Sequence, residues 1–223
     1  MCPDPSRVVR RLNTVLVVLV ASQGAALAQL EGVTGDPLAA RFVYDDAENF
    51  LAAVELIEGG RDPVAAMEER YLSVASGALL DQIESREITA EAMAEVVATH
   101  PDAAGAVRDS IRRARELEGE IRSAFVALVD IFPDARFLPV HYMVGPQSGW
   151  MGEPSGAGIK IVMSATPFDF SRLPGLVLHE TVHVQQALTV GLEEYQQVYG
   201  PKKSLLALAL REGVATFLTH HIL

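Results

Sequence analysis

The amino-acid sequence predicts an α+β fold that is mainly α, and three observations carry that prediction. Alanine-rich, apolar-periodic blocks with helix-start signals fill the chain from Asp36 to Asp130. The texture changes at Phe132-Pro133, after which two short apolar segments read as strands around a glycine-rich stretch. Beyond Ser171 the pattern returns to helix. With 49% apolar and only 6% aromatic residues in a chain of 223, Ala, Val and Leu must fill the core. This composition excludes disordered and collagen-like chains. The formal net charge of −11 argues against nucleic acid as a partner.

Arg7, Arg10 and Arg11 precede an apolar stretch from Val15 to Ala21 and then Ala26-Leu27-Ala28, a small-x-small cleavage pattern before Gln29. Residues 1–28 are therefore expected to be a signal peptide, cleaved after Ala28, and the protein to be periplasmic or secreted. The apolar stretch is too short to span a bilayer and no second one follows, so no stable membrane span is expected after cleavage. The competing reading is an uncleaved anchor. Arg10-Arg11 leaves the general and twin-arginine export routes both open. Cleavage removes Cys2, the only cysteine. The mature chain then has neither disulfide nor thiolate, and its stability must come from its core, with or without help from a metal.

Asp36-Pro37 is a helix start, and the apolar period continues to Gly59-Gly60. Asp62-Pro63 repeats the signal for a helix through Tyr71 and Leu79 to about Ser85. Thr89 opens a short helix ending near His100-Pro101, and a long helix follows from Asp102 to Asp130. Its Arg112, Arg113 and Arg115, set among acids, read as a solvated face. Phe137 to Val144 and Ile159 to Met163 are the strand candidates. Gly145 to Gly158, with five glycines and two prolines, reads as a loop. The two strands would pair as a hairpin with that loop as its tip. The expected organisation is one domain over 29–223, with a helical part at 29–131 and a metal-site part at 132–223.

The chemistry lies in His179-Glu180-Thr181-Val182-His183. Residues four apart share one helix face, so His179 and His183 can aim at a single point. Glu180 stands about 100° round the axis from His179, beside that point. Zn²⁺ held by the imidazoles lowers the pKa of a water to about 7, and the adjacent carboxylate can act as its general base. The flanks from Leu173 to Val190 are almost wholly apolar, so the helix is expected to be buried and its polar groups to need partners. The competing reading is a pair of core histidines with a solvent-facing Glu.

A catalytic zinc needs a third protein ligand. No histidine stands six residues beyond His183, so the longer three-histidine pattern is absent. The downstream candidates are Glu193, Glu194, Glu212, His220 and His221. Glu193 and Glu194 follow Gly191 and read as surface acids. Glu212 sits in a segment that is apolar nearly all round, from Leu205 to Leu218, where a buried carboxylate needs compensation by a metal or an arginine. Gly213 beside it suggests a close backbone approach. A turn after Gly191 and a new helix after Gly200-Pro201 would set two antiparallel helices side by side.

With these residues in view, the chain resembles a gluzincin-type zinc metalloprotease, and more narrowly a family of predicted secreted zinc-dependent proteases. The resemblance lies in Phe132-Pro133-Asp134-Ala135-Arg136-Phe137, the loop Gly145 to Gly158, His179 to Gln186, and Glu212-Gly213-Val214-Ala215. It implies a zincin-like fold, Zn²⁺ on His179, His183 and Glu212, Glu180 as catalytic base, a peptide or protein substrate, and a cleft lined by the strand Ile159 to Ser164. Domains of this kind continue with further helices where this chain reaches Leu223, so a shortened C-terminal end is expected. Tyr195, Tyr199 and His220 are candidate transition-state stabilisers. Trp150 reads either as a substrate grip or as a packing aromatic, and Gln185 and Gln186 receive no role. The reading is zinc-dependent peptide hydrolysis outside the cytoplasm. Its competitors are a secreted helical binding module with a structural or vestigial zinc site, and an all-helical interaction protein without metal.

Overall fold

The computed structural model describes residues 32–166, 168–191, 195 and 204–223. The expected signal peptide, Glu193, Glu194 and Tyr199 lie outside the described residues. The fold is α+β and mainly α, with seven α-helices and a four-stranded mixed sheet among the described residues. No helix among the described residues is long and apolar enough to cross a membrane.

Asp36 does cap a helical turn, accepting from the Leu38 N–H, but that turn is a 3-10 helix confined to Pro37–Ala39. The expected helix is interrupted by β1 (Phe42–Val43), which pairs in parallel with β2 (Val140–Val144). Helix α1 starts only at Asp45–Glu58, where Asp45, Asp46 and Glu48 lie in the first turn and favour the positive helix end. The next expected helix is divided as well. Helix α2 (Pro63–Met67) runs into a π turn (Glu68–Leu72), and α3 (Gly77–Arg86) begins anew. Ser76 causes the break. Its Oγ caps Leu79 N, while its own N–H and Oγ–H both donate to the buried Asp46 carboxylate, at 2.9 and 2.5 Å. The π turn puts the fully buried Tyr71 against the end of β2, where its hydroxyl donates to Val144 O and accepts from Val144 N. Helices α4 (Ala90–Thr99) and α5 (Ala103–Ile131) form as the sequence predicts, the first capped by Thr89.

The strands depart from the expected hairpin. The segment read as a loop contains β3 (Met151–Ser155), and the sheet order is β1-β2-β4-β3, with β4 at Gly158–Met163. β4 runs parallel to β2 and antiparallel to β3. The chain leaves β2, crosses the end of β4 and returns as β3. Gly145 N–H donates to Met163 O at 3.0 Å on that crossing. β4 is buried at all six positions, whereas β3 is the outer strand. The strand expected to line the cleft is therefore interior, and β3 stands between it and solvent. Lys160, almost wholly buried in β4, meets Asp81 of α3 at 2.5 Å and Glu153 of β3 at 3.5 Å.

Helix α6 (Leu173–Val190) packs against β3, β4 and α5. It stops at Gly191, whose φ of 95° favours glycine. Helix α7 (Leu205–Ile222), capped by Ser204, packs antiparallel on α6. Gly175 near the start of α6 lies by Thr219 and Leu223, and Gln186 near its end lies by Arg211. The expectation of a buried α7 fails. Only Ala215 is buried, and Leu205, Leu206 and Phe217 are exposed. Among the described residues Gly213 mediates no close approach, since a Cβ there would meet none of them within 4 Å.

Candidate metal centre

The second and third turns of α6 bring His179 and His183 to one face, their rings 4.7 Å apart and nearly perpendicular. Glu212 reaches them from α7. His179 Nε2 lies 3.1 Å from His183 Nε2 and 3.2 Å from Glu212 Oε2, and His183 Nε2 lies 3.3 Å from the same oxygen. Among the described residues these three form the group able to hold a metal ion. Ligands at zinc bond lengths of about 2.0–2.1 Å and tetrahedral angles lie about 3.3 Å apart, so the triangle has the size a tetrahedral cation requires.

The protons of the triangle point the same way. Gln186 Nε2 lies 3.1 Å from Arg211 O, which can only accept, so the amide nitrogen belongs there. Gln186 Oε1 then faces His183 Nδ1 at 2.8 Å, and Nδ1 must carry the hydrogen. His183 Nε2 is left with its lone pair against the lone pairs of Glu212 Oε2. One hydrogen on His179 Nε2 can bridge two edges of the triangle at most, never that third edge. A cation at the centre satisfies all three.

The charges are set accordingly. Burial lowers the pKa of His183 below the ordinary imidazole value, against opposing contributions from Gln186 and Glu212. Burial pushes the Glu212 carboxyl up, but the Arg211 guanidinium and the facing histidines more than offset this and leave it below its usual range. Arg211 Nε and its terminal nitrogen bind Glu212 Oε1 at 2.8 and 2.7 Å, leaving Oε2 for the triangle. The arginine partner considered as an alternative to a metal is thus present, and it occupies the other oxygen. The His183 side chain is 7% exposed, that of His179 23% and that of Glu212 40%, so the triangle opens to solvent on the His179–Glu212 side.

Glu180 does not face solvent. It is 7% exposed and held under β3, where a Cβ on Gly152 would come within 2.6 Å of its Cγ. Burial, reinforced by the carboxylates of Glu212 and Glu153, pushes its pKa up to about 7. The other candidates are placed differently. Tyr195 Oη lies 3.4 Å from His183 Nδ1, the nitrogen turned away from the triangle. His220 is exposed, its Nδ1 bonded to Thr216 O of its own helix. Trp150 stacks on Phe168 at 4.2 Å and meets Phe170 edge-on, which makes it a packing aromatic. The sequence reading gave no role to Gln185 and Gln186 and did not single out Gly152. Gln186 carried a signal, since it lies three residues after His183 and shares its face. A scan against protein-family models and searches of curated proteins and of solved structures find no match for this chain.

Proposed function

We propose that the chain is a zinc-dependent peptidase that acts outside the cytoplasm. The observation that carries the reading is the triangle of His179, His183 and Glu212, in which, with both imidazoles neutral, the lone pairs of His183 Nε2 and Glu212 Oε2 face one another at 3.3 Å. These three side chains would hold the ion, with one side left open for a water and a substrate carbonyl. Zinc bound there supplies a Lewis acid that lowers the pKa of a water molecule and polarises a scissile carbonyl. Glu180 accepts the proton of that water and returns it to the leaving amine. A carboxyl poised at about 7 by burial suits both transfers. Arg211 holds Glu212 in its charged form. The outer strand β3, paired on one side only among the described residues and resting on Glu180, supports an extended peptide as substrate, because an outer edge can add a strand. The leader read at residues 1–28 supports export.

The test joins metal analysis of the purified protein to digestion of a peptide library, with and without chelator. One zinc per chain and chelator-sensitive cleavage are expected. Glu180→Gln should keep the zinc and lower kcat by about 10²–10⁴-fold. Cleavage that survives this change, or that proceeds without metal, overturns the mechanism.

A further inference from the structure

Two neighbouring glutamines on α6 hold different parts of the molecule. Gln185 faces the body. Its Oε1 accepts from Arg136 N at 3.0 Å, and its Nε2 donates to Arg136 O at 2.8 Å and to Thr181 O at 3.2 Å, with no bond to a residue of the triangle. Gln186 faces α7. One end of its amide meets the ring of His183, and the other meets the carbonyl of Arg211, the residue before Glu212. Both ends have a single chemically permitted orientation, because Arg211 O only accepts.

We infer that Gln186 is the positioning residue of the centre, fixing the Nδ1–H tautomer of His183 and registering α7 on α6 so that Glu212 meets both imidazoles. The inference rests on the metal reading of the triangle. A ligating histidine whose second nitrogen donates to a fixed acceptor is held in tautomer and ring orientation, and losing such a partner costs about 10–100-fold in metal affinity. Gln186 has a second effect that an acceptor on α6 alone lacks. The ligands come from two helices, and α7 buries little of its own surface, so a bond that ties its backbone beside Glu212 reduces the ordering left for the metal to impose. Gln185 supplies the internal control, being as firmly bonded on the same helix but to the wrong side.

The experiment measures the zinc dissociation constant of the full chain by competition with a chromogenic chelator. Thermal unfolding of each apo form in chelator is recorded beside it. Gln186→Leu should weaken zinc about 10–100-fold. Gln186→Glu, which keeps an acceptor opposite His183 Nδ1 but sets a second oxygen against the Arg211 carbonyl, should restore the tautomer and only part of the affinity. Gln185→Leu should lower the apo melting temperature and leave zinc affinity within about threefold of wild type. The ¹⁵N signature of His183 adds a readout independent of stability: protonated Nδ1 in the apo wild type, mixed tautomers in Gln186→Leu. Equal affinity in Gln186→Leu and wild type overturns the inference, as does an equal loss in Gln185→Leu. A wild type that binds no zinc overturns the metal reading itself and the inference with it, a result distinct from the other two.

Discussion

A buried imidazole with one nitrogen unpartnered is costly to protonate, and His141 is such a group. Its Nδ1 is buried with no partner, and burial holds its pKa below the ordinary histidine value, against the raising influence of Asp46, Asp45 and the Ala157 backbone. A histidine whose folded pKa lies below its unfolded one contributes stability that is whole above the unfolded value and is lost as pH falls through about 6.5 towards the folded value. On going from pH 7.5 to 5.5 this group therefore takes stability from the apo protein, while protonation of Glu180, whose pKa is pushed up to about 7, acts in the opposite direction. Relative to wild type, His141→Gln should gain melting temperature over that interval, and parallel curves for the two proteins would show that His141 contributes nothing to the pH dependence. At this scale the sequence was readable where spacing alone decides geometry. His179, Glu180 and His183 had to share a turn of helix, and their apolar flanks required that they be buried. It was unreadable for Gln185 and Gln186, because a glutamine acquires a role only from what stands opposite it. Here that is Arg136 for one and the α7 backbone for the other.

Gly152 illustrates the same limit for a whole strand. Glycine and proline are poor strand formers, and a segment with five of one and two of the other between Gly145 and Gly158 reads as loop. Yet β3 forms there, because each breaker has a local reason. Gly152 lets the backbone lie directly on Glu180, and Pro154 sits in an outer strand where a missing donor is tolerated. Caps and spacing gave α4, α5 and α6 nearly to the residue, since those signals are local. The interruption of the first expected helix by β1 depends on a strand about a hundred residues away, and the parallel pairing of β2 with β4 on a crossover past β3, so a local pattern registers neither. Gly152→Ala tests the close approach. A methyl 2.6 Å from Glu180 Cγ must push the carboxylate or the strand aside. The variant should lose about 1–3 kcal/mol of stability in urea denaturation. Cleavage of a peptide should fall by tenfold or more, with zinc content unchanged. Full activity at full stability would mean that β3 is free to move away from α6.

Across the whole molecule the burden of holding the centre together is uneven. The sheet, α1, α5 and α6 enclose the core, with β4 and most of α6 buried. α7 rests chiefly on α6, burying Ala215 and leaving Leu205, Leu206, Leu208, Leu210 and Phe217 exposed. Among the described residues its polar ties to α6 include Glu212 to the two histidines and Gln186 to the Arg211 carbonyl. A ligand that binds only the folded arrangement stabilises it by RT ln(1 + [L]/Kd), and that energy falls on whichever element must be in place for binding. Here the element is α7, because the imidazoles are already fixed in a buried helix. Zinc should therefore act as a local fastener and not as a folding nucleus. Hydrogen exchange followed by mass spectrometry should show the amides of 205–222 protected with zinc present and at least about tenfold less protected after chelation, while those of β4 and β2 stay unchanged. Equal loss in α7 and in β4 would mean that the ion holds the entire body together, and no change in either would mean that α7 is secured by its packing on α6 alone.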